Sequence, residues 1–438
     1  MSAYPVMFNN VETKSRVYQI LYSKRDFISK RSLEAAETQA AFHKVPQWVP
    51  CLNEIPRVER DGQLYLRGLL PTLTSSNPGK LRELPVTLPD NVQTCDIRKV
   101  FGTRWAFIGI ILSDGRIYTF SLETWCFTNF TGLSNVMDIQ INRLLQLCVL
   151  CRTSEERANS VIKILPPIES IAASLYNPTL QSFAASDIEA ISTFDLSDIS
   201  LPTRSSELEH EIFIDVAATS TGFIALTSRG NVYTYGDARF NSLGRHPNAT
   251  ILPDADTEQN TDDCPHDLLN GRGWGQVTAL DGIFITQIAA NPGGHVQFAL
   301  SQDGTGYAWG GDGTETIAIS FQNGEEVGMI DVLDPGTGEI IEFENMAVGE
   351  DHAVMVEAGR QGVWVSGGSD LGQTGFGREY RCLPAALGVD EDVKAKCKVW
   401  RRWDDKAVRS YVGSSGIVQV ECGFGCTLAI VECISNKD

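Results

Sequence analysis

Five times along the chain a dipeptide ending in glycine stands just before a short run of β-branched and aromatic residues: Asp61-Gly62, Asp114-Gly115, Arg229-Gly230, Asp303-Gly304 and Gln361-Gly362. A glycine that tolerates positive φ between two alternating runs marks a tight turn joining two strands. A lone hairpin cannot bury its own face, so a recurring one restricts the chain to architectures in which units stack on each other, a propeller or a solenoid.

The unit is clearest in the second half. Val216–Leu226 leads into Arg229-Gly230-Asn-Val-Tyr-Thr-Tyr-Gly236 and ends at Asn241-Ser-Leu-Gly244. Ile288–Leu300 leads into Asp303-Gly-Thr-Gly-Tyr-Ala-Trp-Gly310, and Met346–Val356 into Gln361-Gly-Val-Trp-Val-Ser-Gly367. Val420–Ile430 repeats the first strand, and the sequence then runs out. Turn glycines are 53 residues apart from Gly62 to Gly115, 115 to Gly230, 74 to Gly304 and 58 to Gly362. The double gap predicts one unit whose signature has degraded, placed at Ile139–Leu150 with Ser160–Leu165. Five marked units, the degraded one and a split terminal one make seven.

At these residues the chain resembles the regulator of chromosome condensation repeat family, which includes beta-lactamase inhibitor protein II. Ala347-Val-Gly-Glu-Asp-His352, then Gly362-Val-Trp364 and Leu371-Gly-Gln373, is the best copy. The signature histidine is Trp105, Gly222 and Cys426 in three other units. The resemblance implies an all-β fold, a seven-bladed β-propeller closed by pairing of N- and C-terminal strands, with Tyr4-Pro-Val-Met-Phe8 supplying the strand that the last unit lacks. The whole of 1–438 then reads as one propeller domain: degraded repeats over about 45–165, a polar linker over about 186–210, clear repeats over about 212–433 and an insertion over about 378–416. A propeller escapes the usual division of a chain this long because each blade packs only on its neighbours. Outside the strands, only Ser32–His43 reads as a helix.

Composition narrows the function. The formal net charge is −19 with pI near 4.8, which argues against general nucleic-acid binding, where phosphates require a positive surface. No apolar run approaches the roughly 18 to 20 residues that span a bilayer. Met1-Ser-Ala-Tyr-Pro has no charged region followed by an apolar one, so the expectation is an intracellular protein, cytoplasmic or nuclear, whose 11 cysteines stay reduced.

No motif reads as an enzyme site, and no cofactor or metal is expected. Cys148-Val-Leu-Cys151 lies in an apolar β run, where residues three apart point to opposite faces and cannot grip one ion. His295 and His352 recur at the repeat's histidine position and read as packing or turn residues. Gly310-Gly-Asp-Gly313 lacks the Lys-Ser/Thr of a phosphate loop, and Gly271-Arg-Gly-Trp-Gly275 lacks a strand-to-helix context.

One segment stands out. Within the insertion, Lys394–Trp403 and its continuation are basic and carry two tryptophans in an acidic protein, and Trp and Arg are enriched at interface hot spots. Lys398, Trp400, Arg401, Arg402, Trp403, Lys406 and Arg409 are therefore the candidate partner-binding residues. The competing reading tucks the tryptophans against the ring as a local staple. The expected function is a non-enzymatic interaction module or scaffold, a monomer or half of a heterodimer, binding another protein through a ring face and the insertion. The family resemblance implies two further readings. One is guanine-nucleotide exchange on a Ran-like small GTPase. The other is an alpha-tubulin-suppressor-like partnership in diphthamide synthesis and tRNA wobble modification.

Overall fold

The structure, a computed structural model, describes residues 16–23, 64–68, 82–93, 96–102, 107–121, 126–131, 133, 135–153, 160–167, 182–184, 190–196, 211–238, 241–245, 270–290, 293–310, 326–334, 337–349, 352–360, 362–367, 400–402, 417–423 and 426–434. Its strands run β1 (Arg16–Ser23), β2 (Leu64–Gly68), β3 (Arg82–Val86), β4 (Ile97–Gly102), β5 (Phe107–Leu112), β6 (Ile117–Ser121) and β7 (Cys126–Thr131). Next come β8 (Val136–Ile141), β9 (Leu147–Arg152), β10 (Ser160–Leu165), β11 (Ser182–Ala184), β12 (Ser192–Asp195), β13 (Phe213–Ala218), β14 (Gly222–Thr227), β15 (Val232–Asp237) and β16 (Asn270–Gln276). The last ten are β17 (Ile285–Ala290), β18 (Gln297–Ser301), β19 (Gly306–Trp309), β20 (Gly328–Ile330), β21 (Phe343–Val348), β22 (His352–Glu357), β23 (Val363–Gly367), β24 (Arg401–Arg402), β25 (Ile417–Gly423) and β26 (Cys426–Ile434).

These strands make up separate sheets that follow one another along the chain. Sheet I is the hairpin β2–β3. Sheet II is β4–β7, with β11 added parallel to β7. Sheet III is β8–β10 with β12, sheet IV β13–β16, sheet V β17–β20 and sheet VI β21–β24; sheet VII is β25, β26 and β1. Sheets II to VII each pack on the next, and the apolar cores lie between them. Phe101, Ile111 and Phe130 of sheet II meet Ile139, Val149 and Cys151 of sheet III. Cys148, Ile162 and Phe194 on the other face of sheet III meet Phe213, Tyr233 and Trp274 of sheet IV, where Phe194 stacks on Trp274 with centroids 5.4 Å apart. Trp309 and Ile288 of sheet V pack against Ile224 and Val232 of sheet IV, and Phe298 and Leu300 against Met346, Met355 and Trp364 of sheet VI. Each such side chain contributes about 1.5 to 3 kcal/mol on full burial, so stability is built pairwise, sheet on sheet. The architecture is a β-propeller.

The sequence signature has a direct physical cause. In three units the second strand turns into the third through a left-handed glycine, with φ of +80° at Gly115, +78° at Gly230 and +86° at Gly304. Each turn seats on the backbone that opens the next sheet. A Cβ at Gly230 would lie 2.6 Å from the Ile285 nitrogen, and one at Gly304 would lie 2.8 Å from the Glu342 Cβ. The Phe343 amide donates to the Gly304 carbonyl at 2.9 Å, and the Ile285 amide to that of Gly230 at 3.3 Å. Gly is required at these joints both for conformation and for close approach.

Gln361-Gly362 is not such a turn. Here the loop is one residue longer, and Gly359 takes the left-handed conformation at φ +75°. Gly362 aligns instead with Asn231 and Thr305, as the Glu357 amide donates to its carbonyl at 2.9 Å. Asp61-Gly62 lies outside the described residues. β2 begins two residues after it, as β6, β15 and β19 do after their glycines, so sheet I supplies the third and fourth strands of a unit.

A second recurrence is visible only with the sheets in place. In sheets II to VII the first strand bulges at its second residue, which shifts the register there. The residue after the bulge is Lys99, Asp138, Asp215, Gln287, Asn345 or Gln419, polar in every sheet. The first strand is a sheet edge, and alternate backbone groups along an edge lack ladder partners. Gln287 and Asn345 supply such partners to the sheet that follows. Gln287 Nε2 donates to the Met346 carbonyl at 3.0 Å, while the Met346 amide donates to Gln287 Oε1 at 3.3 Å. The Val420 amide donates to Asn345 Oδ1 at 3.3 Å, and Lys99 forms a buried ion pair with Asp138 of the next sheet.

The double gap contains the expected degraded unit, sheet III, whose second and third strands are joined through 153–159 without a turn glycine. Ser192–Asp195, inside the stretch read as a polar linker, is that sheet's outer strand. An N-terminal strand does complete the terminal unit, but it is Arg16–Ser23, running antiparallel to β26 from Arg16 opposite Ile434 to Ser23 opposite Thr427. Tyr4–Phe8 and Ser32–His43 lie outside the described residues.

Candidate partner-binding site

Three of the seven nominated residues are described, and all three are at the outer edge of sheet VI. Arg401 and Arg402 form β24, opposite Val365 and Trp364 of β23. Trp400 packs against the core between sheets V and VI, edge-on to Phe298 at 6.5 Å and 83°. Arg402 NH2 donates to Glu357 Oε2 at 2.9 Å, its Nε lies 2.9 Å from Oε1, and Trp364 Nε1 donates to Oε1 at 2.6 Å. A Cβ at Gly362 would lie 2.4 Å from Arg402 Nε, so a glycine there makes room for the pair. Trp400 and Arg402 thus fasten the segment to its own sheet; of the staple's two tryptophans Trp400 is the one described, and the Arg402 charge turns to Glu357 rather than outward. Lys398, Trp403, Lys406 and Arg409 lie outside the described residues.

The other candidates resolve into packing. Cys148 faces sheet IV and Cys151 faces sheet II, so the pair is split across the two faces of β9. Burial raises both thiols, Cys148 well above its ordinary value and Cys151 to about 11. The two histidines are not equivalent. His352 pairs with Gly367 in β22 and is fully buried, whereas the matching residue of sheet V, facing Gly310, is Val296. His295 falls one residue earlier, in the turn, with Nδ1 2.9 Å from the Ser220 hydroxyl of sheet IV. Gly271–Gly275 is part of β16, and Gly275 leaves room for the guanidinium of Arg245. That buried cation donates to the Thr234 hydroxyl at 3.2 Å and to the Gly273 carbonyl at 3.2 Å, and burial lowers its pKa to about 10.

Among solved structures, the chain is similar to Prp20p from Saccharomyces cerevisiae, a protein described with its binding to Gsp1p and histones. The likeness covers 86% of this chain and 80% of Prp20p at a TM-score of 0.53 and 15% identity. Yeast RCC1 (Prp20) bound to Kap60 gives 0.52 over 87% and 78% at 14% identity. The likeness shows the fold, a β-propeller of the kind seen in Prp20p. Human WBSCR16 shares the fold at a TM-score of 0.50 and 12% identity, over 84% of this chain and 82% of that one.

By sequence, the chain is 26% identical over 183 residues, or 41% of its length, to the E3 ubiquitin-protein ligase HERC2 of mouse, and equally to the human protein. It spans only 3% of the length of those ligases. No family model matches. No helix among the described residues is long and apolar enough to cross a membrane.

The propeller has two distinct ends. At one, the turns between first and second strands of sheets III to V are linked in series: the Arg143 amide donates to the Ser220 carbonyl at 3.1 Å and the Ser220 amide to that of Gly294 at 2.8 Å. The other end carries the glycine turns and the connections between sheets. Sequence reading did not point to either end, because their exposed side chains come from turns of different sheets and share no motif.

Proposed function

We propose that the chain is a non-enzymatic interaction module that binds a partner protein through one end of the ring, with the 378–416 segment contributing at its rim. The observation that carries this reading is how four of the five described buried charges, Lys99, Asp138, Arg245 and Glu357, are used. Lys99 pairs with Asp138 across two sheets, Arg402 with Glu357 across two strands, and Arg245 is held by a hydroxyl and a carbonyl. These groups join strands and sheets, and the large exposed side chains gather at the ends. Trp400 and Arg402 anchor the rim segment; Arg401, with Lys398, Trp403, Lys406 and Arg409, is the part proposed to meet the partner.

The likeness to Prp20p favours a second reading, nucleotide exchange on a Ran-like GTPase. Both are tested by recovering the tagged chain from its native extract under mild crosslinking, weighing the complex by native mass spectrometry, and assaying fluorescent GDP release from a Ran-family GTPase. A discrete heteromeric complex without accelerated GDP release supports the interaction module. Release accelerated by catalytic amounts of the chain supports exchange. Recovery of the chain alone, without release activity, overturns both.

A further inference from the structure

We propose that the glycine-turn end of sheets IV to VI is the docking surface, and that its occupant is a basic, apolar-bearing segment of the partner protein. This rests on the interaction reading and deepens it. Four of the six large hydrophobic residues that the described part of the chain exposes lie at this end: Ile214 (44%), Phe284 (47%), Leu333 (56%) and Ile340 (55%). Ile214 is the bulge residue of β13, and Phe284 stands immediately before β17, against the Gly230 turn. Leu333 and Ile340 face each other across a bridge in the hairpin that joins β20 to β21. That hairpin is held in shape: the Asp334 amide donates to the Glu339 carbonyl, and the Gly338 amide to that of Asp334, each at 2.8 Å. The Thr337 amide donates to the Asp334 carboxylate, also at 2.8 Å. A fixed apolar pair needs little ordering on binding.

Charge names the partner's chemistry. Among the residues of this end whose exposure is described, Asp281, Asp303, Asp331, Glu339, Glu342 and Glu344 are exposed on the three sheets, against one exposed base, Arg229, with Arg360 in the β22–β23 turn as a further cation. The Ser301 hydroxyl and the Thr305 amide hold the Asp303 carboxyl below its usual range, so it stays ionised. Arg402 reaches the same end, but Glu357 takes its charge. A surface of carboxylates around aliphatic and aromatic side chains repels nucleic acid, anionic lipid and a second copy of a chain of net charge −19, and attracts Lys and Arg flanking apolar residues.

The test uses the full chain and fluorescence anisotropy with three short labelled peptides: leucines in a lysine and arginine background, the same with serine for leucine, and the same with glutamate for the bases. The leucine-bearing basic peptide should bind best, with affinity falling about tenfold on raising salt well above physiological strength, as screening requires. Leu333→Ser with Ile340→Ser, and separately Glu339→Lys with Glu342→Lys, should each weaken it about tenfold without lowering the melting temperature. Leu144→Ser, at the opposite end, should leave binding unchanged. Equal binding of the serine or glutamate peptide, unchanged binding by both double variants, or a concentration-dependent dimer masking this end would overturn the proposal. If the peptide fails while a stoichiometric partner complex is still recovered, the surface is wrong and the interaction reading stands; if no complex is recovered either, both fall.

Discussion

Gly304→Ala tests whether the turn glycines are joints between sheets or merely turns. Alanine at φ +86° costs about 1 to 2 kcal/mol as a left-handed residue. Its Cβ would also lie 2.8 Å from the Glu342 Cβ and 3.0 Å from the Phe343 nitrogen, so sheet VI must shift and the 2.9 Å bond from the Phe343 amide must stretch. Losing that bond adds about 0.5 to 1.5 kcal/mol, for a total of about 2 to 4 kcal/mol once the displaced packing is included. Gly338 is the control: its φ is +72° and nothing lies within 4 Å of its Cβ, so alanine there carries the conformational cost alone. Equilibrium urea denaturation, followed by the fluorescence of the buried Trp274, Trp309 and Trp364, reads both variants. Equal losses at the two positions would refute the joint, since only the contact with sheet VI distinguishes them.

Three further outcomes are expected. Gln287→Ala should raise the hydrogen-exchange rate of the Met346 amide about tenfold or more, with little change at the amides of β19, because Gln287 Oε1 accepts that amide from the neighbouring sheet. Arg402→Met should cost about 1 to 3 kcal/mol in a urea melt and alter Trp364 emission, since Glu357 keeps the indole N–H but loses its cation. Raising pH from about 9 to 11 should destabilise the fold. The unfolded thiols ionise near 9 while Cys151 in the fold does so only near 11 and Cys148 well above 9; the unfolded chain therefore binds fewer protons in that window, and stability falls as pH rises. For Cys151 alone the loss is on the order of 3 kcal/mol, and Cys151→Ala should flatten the slope in a pH series of denaturation curves.

The sequence carried the fold where local conformation and repeat packing coincide. The turns at Asp114-Gly115, Arg229-Gly230 and Asp303-Gly304 are visible because one residue answers two demands, positive φ and close approach. Gln361-Gly362 looked like a fourth, yet its glycine makes room for Arg402 and Glu357, a contact from a strand some 40 residues away. Sheet III was legible by spacing alone, as its turn had lost the glycine. Nothing local marks the Arg16–Ser23 strand, because its pairing partner β26 lies at the far end of the sequence. The row from Lys99 to Gln419 escaped notice because one polar residue in an apolar strand means little until six strands are aligned by their bulges. The nominated basic segment was found by composition, but the sequence cannot show that Trp400 and Arg402 are held by Phe298 and Glu357. The apolar and acidic end was illegible for the opposite reason: Ile214, Phe284, Leu333 and Ile340 become neighbours only through the stacking of three sheets.

Site-specific photocrosslinking tests the central claim most directly. A photoreactive phenylalanine analogue would replace Ile340 in one protein and Leu144, at the opposite end, in another, with both illuminated in native extract and weighed against the purified partner complex. The account predicts one crosslinked partner from position 340, rich in Lys and Arg at the attachment site, and none from 144. The same partner from 144 with none from 340, or no adduct from either protein, would contradict it.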